Sequence, residues 1–136
     1  MNINPYLTLG GHCEAAFRFY ERCLGGKIEA MISHEGTPAA QQVPPEWRKK
    51  IMHARLTVGD NVLMGSDGPP EQHSEMKGFS VSVTVKTPAE AERVFKALSE
   101  KGNVQMPIQE TFWSPRFGML VDQFGVPWMV NCEPAA

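Results

Sequence analysis

His53 and Arg55 are the residues of this chain best placed to do chemistry. They lie two positions apart in a run, Met52 to Val58, that reads as a strand, so their side chains share one face. An imidazole that titrates near neutrality can act as a general base or supply a ligand nitrogen. A guanidinium two residues on can hold an anionic group. Simpler roles stay open: His53 as a hydrogen-bonded structural residue, and Arg55 as the partner of a carboxylate. The other three histidines are expected to be solvated. His12 precedes a helix, His34 borders a loop rich in Pro and Ala, and His73 lies in a polar linker. Cys13, Cys23 and Cys132 are odd in number and lack metal-type spacing, which points to reduced thiols and a cytoplasmic setting. No nucleophile elbow, phosphate loop or Cys-His pair is present.

A second concentration of chemistry-bearing side chains runs from Phe112 to Asn131. It holds two of the three Trp and three of the seven Phe. It reads as two strands joined by a turn at Gln123-Phe124-Gly125, and aromatics in this number should wall a core or a pocket. Trp113, Trp128 and Phe117 could stack on a planar ligand, or pack a core. Met64 and Met129 could form an adaptable apolar floor, or fill the interior.

The bulk composition excludes several classes. The 136 residues suffice for one domain with a real core. A net charge of −2 without a basic block argues against nucleic acid and anionic membranes. No apolar run approaches the ~20 residues of a membrane span. The stretch Met1 to Tyr6 has no positive region followed by an apolar run, so no signal peptide is expected.

These residues must be positioned by the elements around them, and those elements repeat. Ile3, Pro5, Leu7 and Leu9 alternate with Asn4, Tyr6 and Thr8, as in a half-buried strand. A helix is predicted over His12–Leu24, with Ala16, Phe19, Tyr20 and Cys23 on its buried stripe and Gly25-Gly26 ending it. Strands follow over Lys27–Ser33, Met52–Val58 and Val62–Ser66. A loop from Glu35 to Pro45 and a helical turn from Trp47 to Lys50 lie between the first two. The pattern then restarts. Phe79–Val85 alternates. Thr87, Pro88 and Glu90 announce a helix with a capping box, and Gly102 stops it. Val104–Ile108 and the aromatic hairpin complete the unit. Glu14-Ala15-x-x-x-Phe19 recurs 76 positions on as Glu90-Ala91-x-x-x-Phe95, and Leu7, Thr8 and Gly26 fall on Val83, Thr84 and Gly102 at the same offset. Further on the offset is 65, which brings Met64 onto Met129. The surplus of the first copy matches the loop around Glu35–Pro45. The expectation is an α+β fold of two tandem β-α-β-β-β modules: module one about 1–67, a linker about 68–77, and module two about 78–132. Each sheet would carry a helix on one face. The other faces, turned toward each other, would make a cleft lined by Tyr6, Ser82, His53, Arg55, Met64 and Met129.

Pro5-Tyr6-Leu7, Glu14-Ala15-x-x-Arg18-Phe19-Tyr20, Gly25-Gly26, Ile51-Met52-His53-Ala54-x-Leu56, Leu63-Met64-x-Ser66-Asp67, Met106-Pro107 and Trp113-x-x-Arg116-Phe117-Gly118-Met119 through Trp128 span nearly the whole chain. Together they resemble the vicinal oxygen chelate superfamily of glyoxalases, bleomycin-resistance proteins and extradiol dioxygenases. Within it the chain resembles the PhnB-like group, whose members often carry the name 3-demethylubiquinone-9 3-methyltransferase. The resemblance implies the glyoxalase/bleomycin resistance-like fold. It also implies, in metal-using relatives, a His or Gln on the first strand of each module and a Glu or His late in each. This chain offers Asn4, Tyr6 and Thr8, then Ser80, Ser82 and Thr84, and places Met64 and Met129 at the late positions. A thioether is a poor ligand for hard divalent ions, so no metal and no other cofactor is expected. A methyltransferase is not expected either: Gly10-Gly11 follows a strand, but no further glycine continues the motif.

The leading functional expectation is a homodimeric small-molecule-binding protein. Tyr6, Ser82, Met64, Trp113, Phe117 and Met129 would form its ligand surface. The alternatives are an isomerase- or lyase-like enzyme of the superfamily using His53 and Arg55 or an unrecognised metal arrangement, and an interaction module with a vestigial cleft.

Overall fold

The computed structural model of the chain describes residues 1–69, 71 and 74–135. The chain divides into two units, Met1–Ser74 and Glu75–Ala136. Each draws all four strands of its sheet from its own residues.

In unit one, β1 (Tyr6–Leu9) leads into α1 (Cys13–Leu24), then β2 (Lys27–Ser33), β3 (Ile51–Val58) and β4 (Asn61–Asp67). The sheet order is β1-β4-β3-β2, with β1 parallel to β4 and the other pairs antiparallel. The predicted first strand is shortened at its start. Ile3 is almost wholly exposed and lies outside β1. Pro5 has no N–H to give a ladder, although its carbonyl accepts from Met64 N–H (3.2 Å). From Tyr6 on, the expected alternation holds: Leu7 and Leu9 are buried, Tyr6 and Thr8 exposed.

The stripe of α1 is wider than expected. Cys13 and Phe17 join Ala16, Phe19, Tyr20 and Cys23 in the core. The helix packs on β2, β3 and β4. Leu7, Leu9, Ile51, Ala54, Leu56 and Leu63 are the buried apolar side chains of unit one's strands β1, β3 and β4. Each large side chain so buried contributes about 1.5–3 kcal/mol. Gly65 is where the helix comes closest: an added Cβ would lie 2.8 Å from Leu7 O and 2.8 Å from the ring of Phe17. Gly25, left-handed at φ 73°, ends the helix as predicted. The Glu35–Pro45 loop contains a 3₁₀ turn, Pro38–Gln42, capped by Thr37. The second 3₁₀ turn is Pro45–Trp47 rather than Trp47–Lys50, because Pro45 suits the first helical position.

Unit two repeats the plan with β5 (Val81–Val85), α2 (Pro88–Leu98), β6 (Asn103–Gln109), β7 (Phe117–Val121) and β8 (Pro127–Cys132). The order is β5-β8-β7-β6, again with one parallel pair, β5 and β8. The repeat is borne out in register. Tyr6 lies opposite Met64 in the first sheet, and Ser82 lies opposite Met129 in the second. Those pairs reproduce the offsets of 76 and 65 read from the sequence. Phe79 is half exposed and precedes β5.

Two predicted helix signals resolve differently. Thr87 caps α2 by accepting from Glu90 N–H (3.2 Å), but the Glu90 carboxylate binds Arg93 instead of closing a capping box. That ion pair holds Glu90 below the usual carboxylate range. Gly102 does not stop α2. The helix ends at Leu98, where Ser99 bonds back to Phe95 O. Gly102 instead sits against β7, where a Cβ would lie 2.6 Å from Val121 O.

Candidate functional site

In unit one, Tyr6, Met64 and Arg55 lie opposite one another on β1, β4 and β3. Directly opposed residues share a face, and here it is the face away from α1. His53 lies two residues before Arg55 and therefore on the same face. Tyr6 Oη is 3.2 Å from His53 Nδ1, and the two rings stack with centroids 5.8 Å apart and planes 25° apart. Tyr6 is 48% exposed and Arg55 is exposed, while His53 and Met64 are half-buried. Arg55 makes no ion pair among the described residues, so the carboxylate partner considered for it is not found there. The structure thus brings together Tyr6, His53, Arg55 and Met64.

In unit two, Ser82, Met129, Met119 and Met106 form a row across β5, β8, β7 and β6. The next row on that face contains Thr84, Asn131, Phe117 and Gln109. Trp113 is 47% exposed and packs edge-on to Phe117, with centroids 5.3 Å apart. Ser82, Met129, Phe117 and Trp113 therefore share a neighbourhood in unit two. Trp128 does not join them. It is 1% exposed, and its indole N–H donates to Asp122 Oδ2 (2.8 Å). Strand parity could have shown this, because Trp128 alternates with Met129 and must lie on the helix side with Val130.

Two buried aspartates were missed by sequence reasoning. Asp67 Oδ1 accepts from Gly11 N–H (2.8 Å) and Cys13 N–H (3.0 Å), and Oδ2 accepts from Ile51 N–H (2.9 Å). It ends β4, just before the linker expected over about 68–77, and fastens the β1–α1 turn to β3. Of that linker, Pro70, Gln72 and His73 lie outside the described residues. Asp122 Oδ1 accepts from Phe124 N–H (2.8 Å) and Val126 N–H (3.1 Å), closing the β7–β8 turn where Gly125 takes φ 86°.

His34 is buried rather than solvated. Its Nδ1 donates to Lys50 O (3.0 Å), the carbonyl just before β3, which also accepts from His34 N–H (3.2 Å). His12 is exposed at the N-cap of α1. A concavity of about 380 Å³ lies beside it, lined by Glu14, Arg18, Lys49 and Lys50. The Gly11 and Cys13 N–H groups at this helix end are already taken by Asp67. The Cys13 thiol is pushed up to about 12 by burial, with Asp67 and Glu14 adding to the shift. It is an inert core group.

Among the described residues, no three of His, Cys, Asp and Glu gather into a group that could hold a metal ion. The positions opposite Tyr6 and Ser82 carry thioethers, and the polar residues beside them do not form a chelating set. The donor set at these positions does not fit a divalent ion. Neither sheet is a doubly wound parallel one, because each has a single parallel pair.

This architecture has relatives. The family model of the Glyoxalase/Bleomycin resistance protein/Dioxygenase superfamily matches residues 2–130. Protein YjdN of Escherichia coli (strain K12) is 33% identical over 142 residues, covering 96% of this chain and 95% of its own. The crystal structure of protein PA1353 from Pseudomonas aeruginosa is 50% identical, covers 98% of each chain and superimposes with a TM-score of 0.90. The PhnB protein of Bacillus cereus, a 3-demethylubiquinone-9 3-methyltransferase by name, is 25% identical with a TM-score of 0.82, covering 97% of this chain and 99% of its own. On a match that takes in both units nearly end to end, the chain belongs to the glyoxalase/bleomycin resistance protein/dioxygenase superfamily.

Proposed function

We propose that this protein binds a small molecule without a divalent metal, and that the helix-free face of each sheet meets the ligand. The observation that carries this reading is the Tyr6–His53 stack, held half-exposed by its hydrogen bond beside an Arg55 that has no carboxylate partner among the described residues. Two flat rings, a titratable nitrogen and a cation suit a ligand with an unsaturated body and an anionic group. Met64 and Met129 supply adaptable apolar contact in each unit. A second reading draws on the same hydrogen bond. A phenol and an imidazole 3.2 Å apart can pass a proton, which would suit an isomerase- or lyase-like enzyme using His53 as base and Arg55 as anion holder. The protein is further expected to work as a cytoplasmic homodimer. No helix among the described residues is long and apolar enough to cross a membrane.

The test combines metal analysis of the purified protein with a thermal-shift screen of small metabolites and aromatic antibiotics. A ligand that shifts the melting temperature of metal-free protein, and binds at least about tenfold more weakly to His53→Ala, supports the reading. Stoichiometric nickel, zinc or manganese would overturn its metal-free part. No shift with any compound class would favour an interaction module with a vestigial cleft.

A further inference from the structure

We propose that Asn131 is a specificity-determining residue, which selects flat aromatic ligands carrying an N–H or O–H donor. This rests on the small-molecule reading above and names the ligand class for unit two. The starting observation is an orphan. Asn131 Oδ1 is shut away from solvent and has no hydrogen-bond partner among the described residues. Buried polar side-chain atoms are nearly always paired, so one left over calls for a reason.

The position gives that reason. Asn131 lies inside β8 between the buried Val130 and Cys132, in a strand where asparagine is disfavoured. Its neighbours across the ladder are Thr84 and Phe117, which places it on the helix-free face. Thr84 has a hydroxyl that could answer an amide, yet no hydrogen bond joins the two. Met129 lies two residues back on the same face, and Met119 lies opposite Met129. The acceptor is therefore set among an aromatic ring and two thioethers, with Trp113 edge-on to Phe117 at 5.3 Å. Such surroundings favour a flat apolar body. The single unmet acceptor favours a donor on it. A ligand lacking that donor would leave the amide oxygen unpaired in a still drier site, and this is the usual source of strong discrimination.

The test uses two matched probes, indole and 1-methylindole, in which a methyl group replaces the N–H. Titration of the unmodified full chain should show indole binding at least about tenfold more tightly. In Asn131→Leu, a swap close in volume, the preference should vanish while 1-methylindole still binds. Equal affinity of the two probes for the unmodified chain would overturn the role of Asn131 and leave the small-molecule reading standing. A preference that survives in Asn131→Leu would do the same. Binding of neither probe at millimolar concentration would overturn this inference and count against the small-molecule reading as well. If Asn131→Leu does not fold, equal affinity of the two probes for the unmodified chain still overturns the inference, and Asn131→Val takes the place of Asn131→Leu.

Discussion

Asp67→Ala should be among the most damaging single substitutions in unit one. The carboxylate accepts three backbone N–H groups, from Gly11, Cys13 and Ile51, at 2.8, 3.0 and 2.9 Å. Alanine leaves all three donors without a partner. Each orphaned buried donor costs about 1–3 kcal/mol, and the part-buried Gly11 N–H belongs at the low end because water can reach it. The total is about 4–6 kcal/mol, a large share of the ~5–15 kcal/mol that holds a domain of this size together. Asp67→Asn separates the two sides of the carboxylate. An amide oxygen in place of Oδ1 keeps the Gly11 and Cys13 bonds, while the NH₂ group turns a donor toward the Ile51 N–H. That variant should lose about 2 kcal/mol. Denaturant unfolding followed by far-ultraviolet circular dichroism measures both. An alanine variant within about 1 kcal/mol of the parent would refute the reasoning. So would an asparagine variant as unstable as the alanine one, since the bonds would then not be separable in this way.

The remaining expectations are smaller. Tyr6→Phe removes only the Oη–Nδ1 bond to His53 on an exposed face, so stability should change by less than about 1 kcal/mol while ligand affinity falls; unfolding and titration on one sample check both halves. Burial pushes the Cys13 thiol up to about 12 in the fold, from 9.0 for a free thiol. Between those values the unfolded chain binds fewer protons than the native one. The contribution is therefore full below pH 9 and drains away above it, by up to about 1.4 kcal/mol per pH unit. Cys13→Ala should flatten that decline, and parallel slopes from pH 9 to 11 for parent and variant would refute it. Gly65→Ala should cost about 1–3 kcal/mol, because the new methyl would meet Leu7 O and the Phe17 ring at 2.8 Å; an unchanged denaturation midpoint would contradict the close approach.

The doubled plan was legible because it rests on local signals. Alternation set the faces of β1 and β5, helical spacing set the stripes of α1 and α2, and the offsets 76 and 65 reappear in the strand register. The open-face residues followed from parity alone, as with Tyr6, Met64 and Arg55. What could not be read was bonding between distant positions. Asp67 reaches N–H groups 56, 54 and 16 residues away, and nothing in its neighbours announces this. His34 looked like a loop residue because the carbonyl that holds it belongs to Lys50. The Trp128 placement was available from the count of two along β8, but its hydrogen bond to Asp122 was not. Asn131 shows the same limit: parity places it on a face, and only coordinates show that its oxygen goes unanswered.

Each sheet completes its ladder with strands from one half of the chain. A substitution that reshapes one surface thus leaves the other half's pairing intact. After a duplication, the copies are free to specialise at different rates. One here presents a phenol, an imidazole and a guanidinium, while the other presents sulfur and aromatic rings. Selection for a new compound could act on either half without first having to rebuild both.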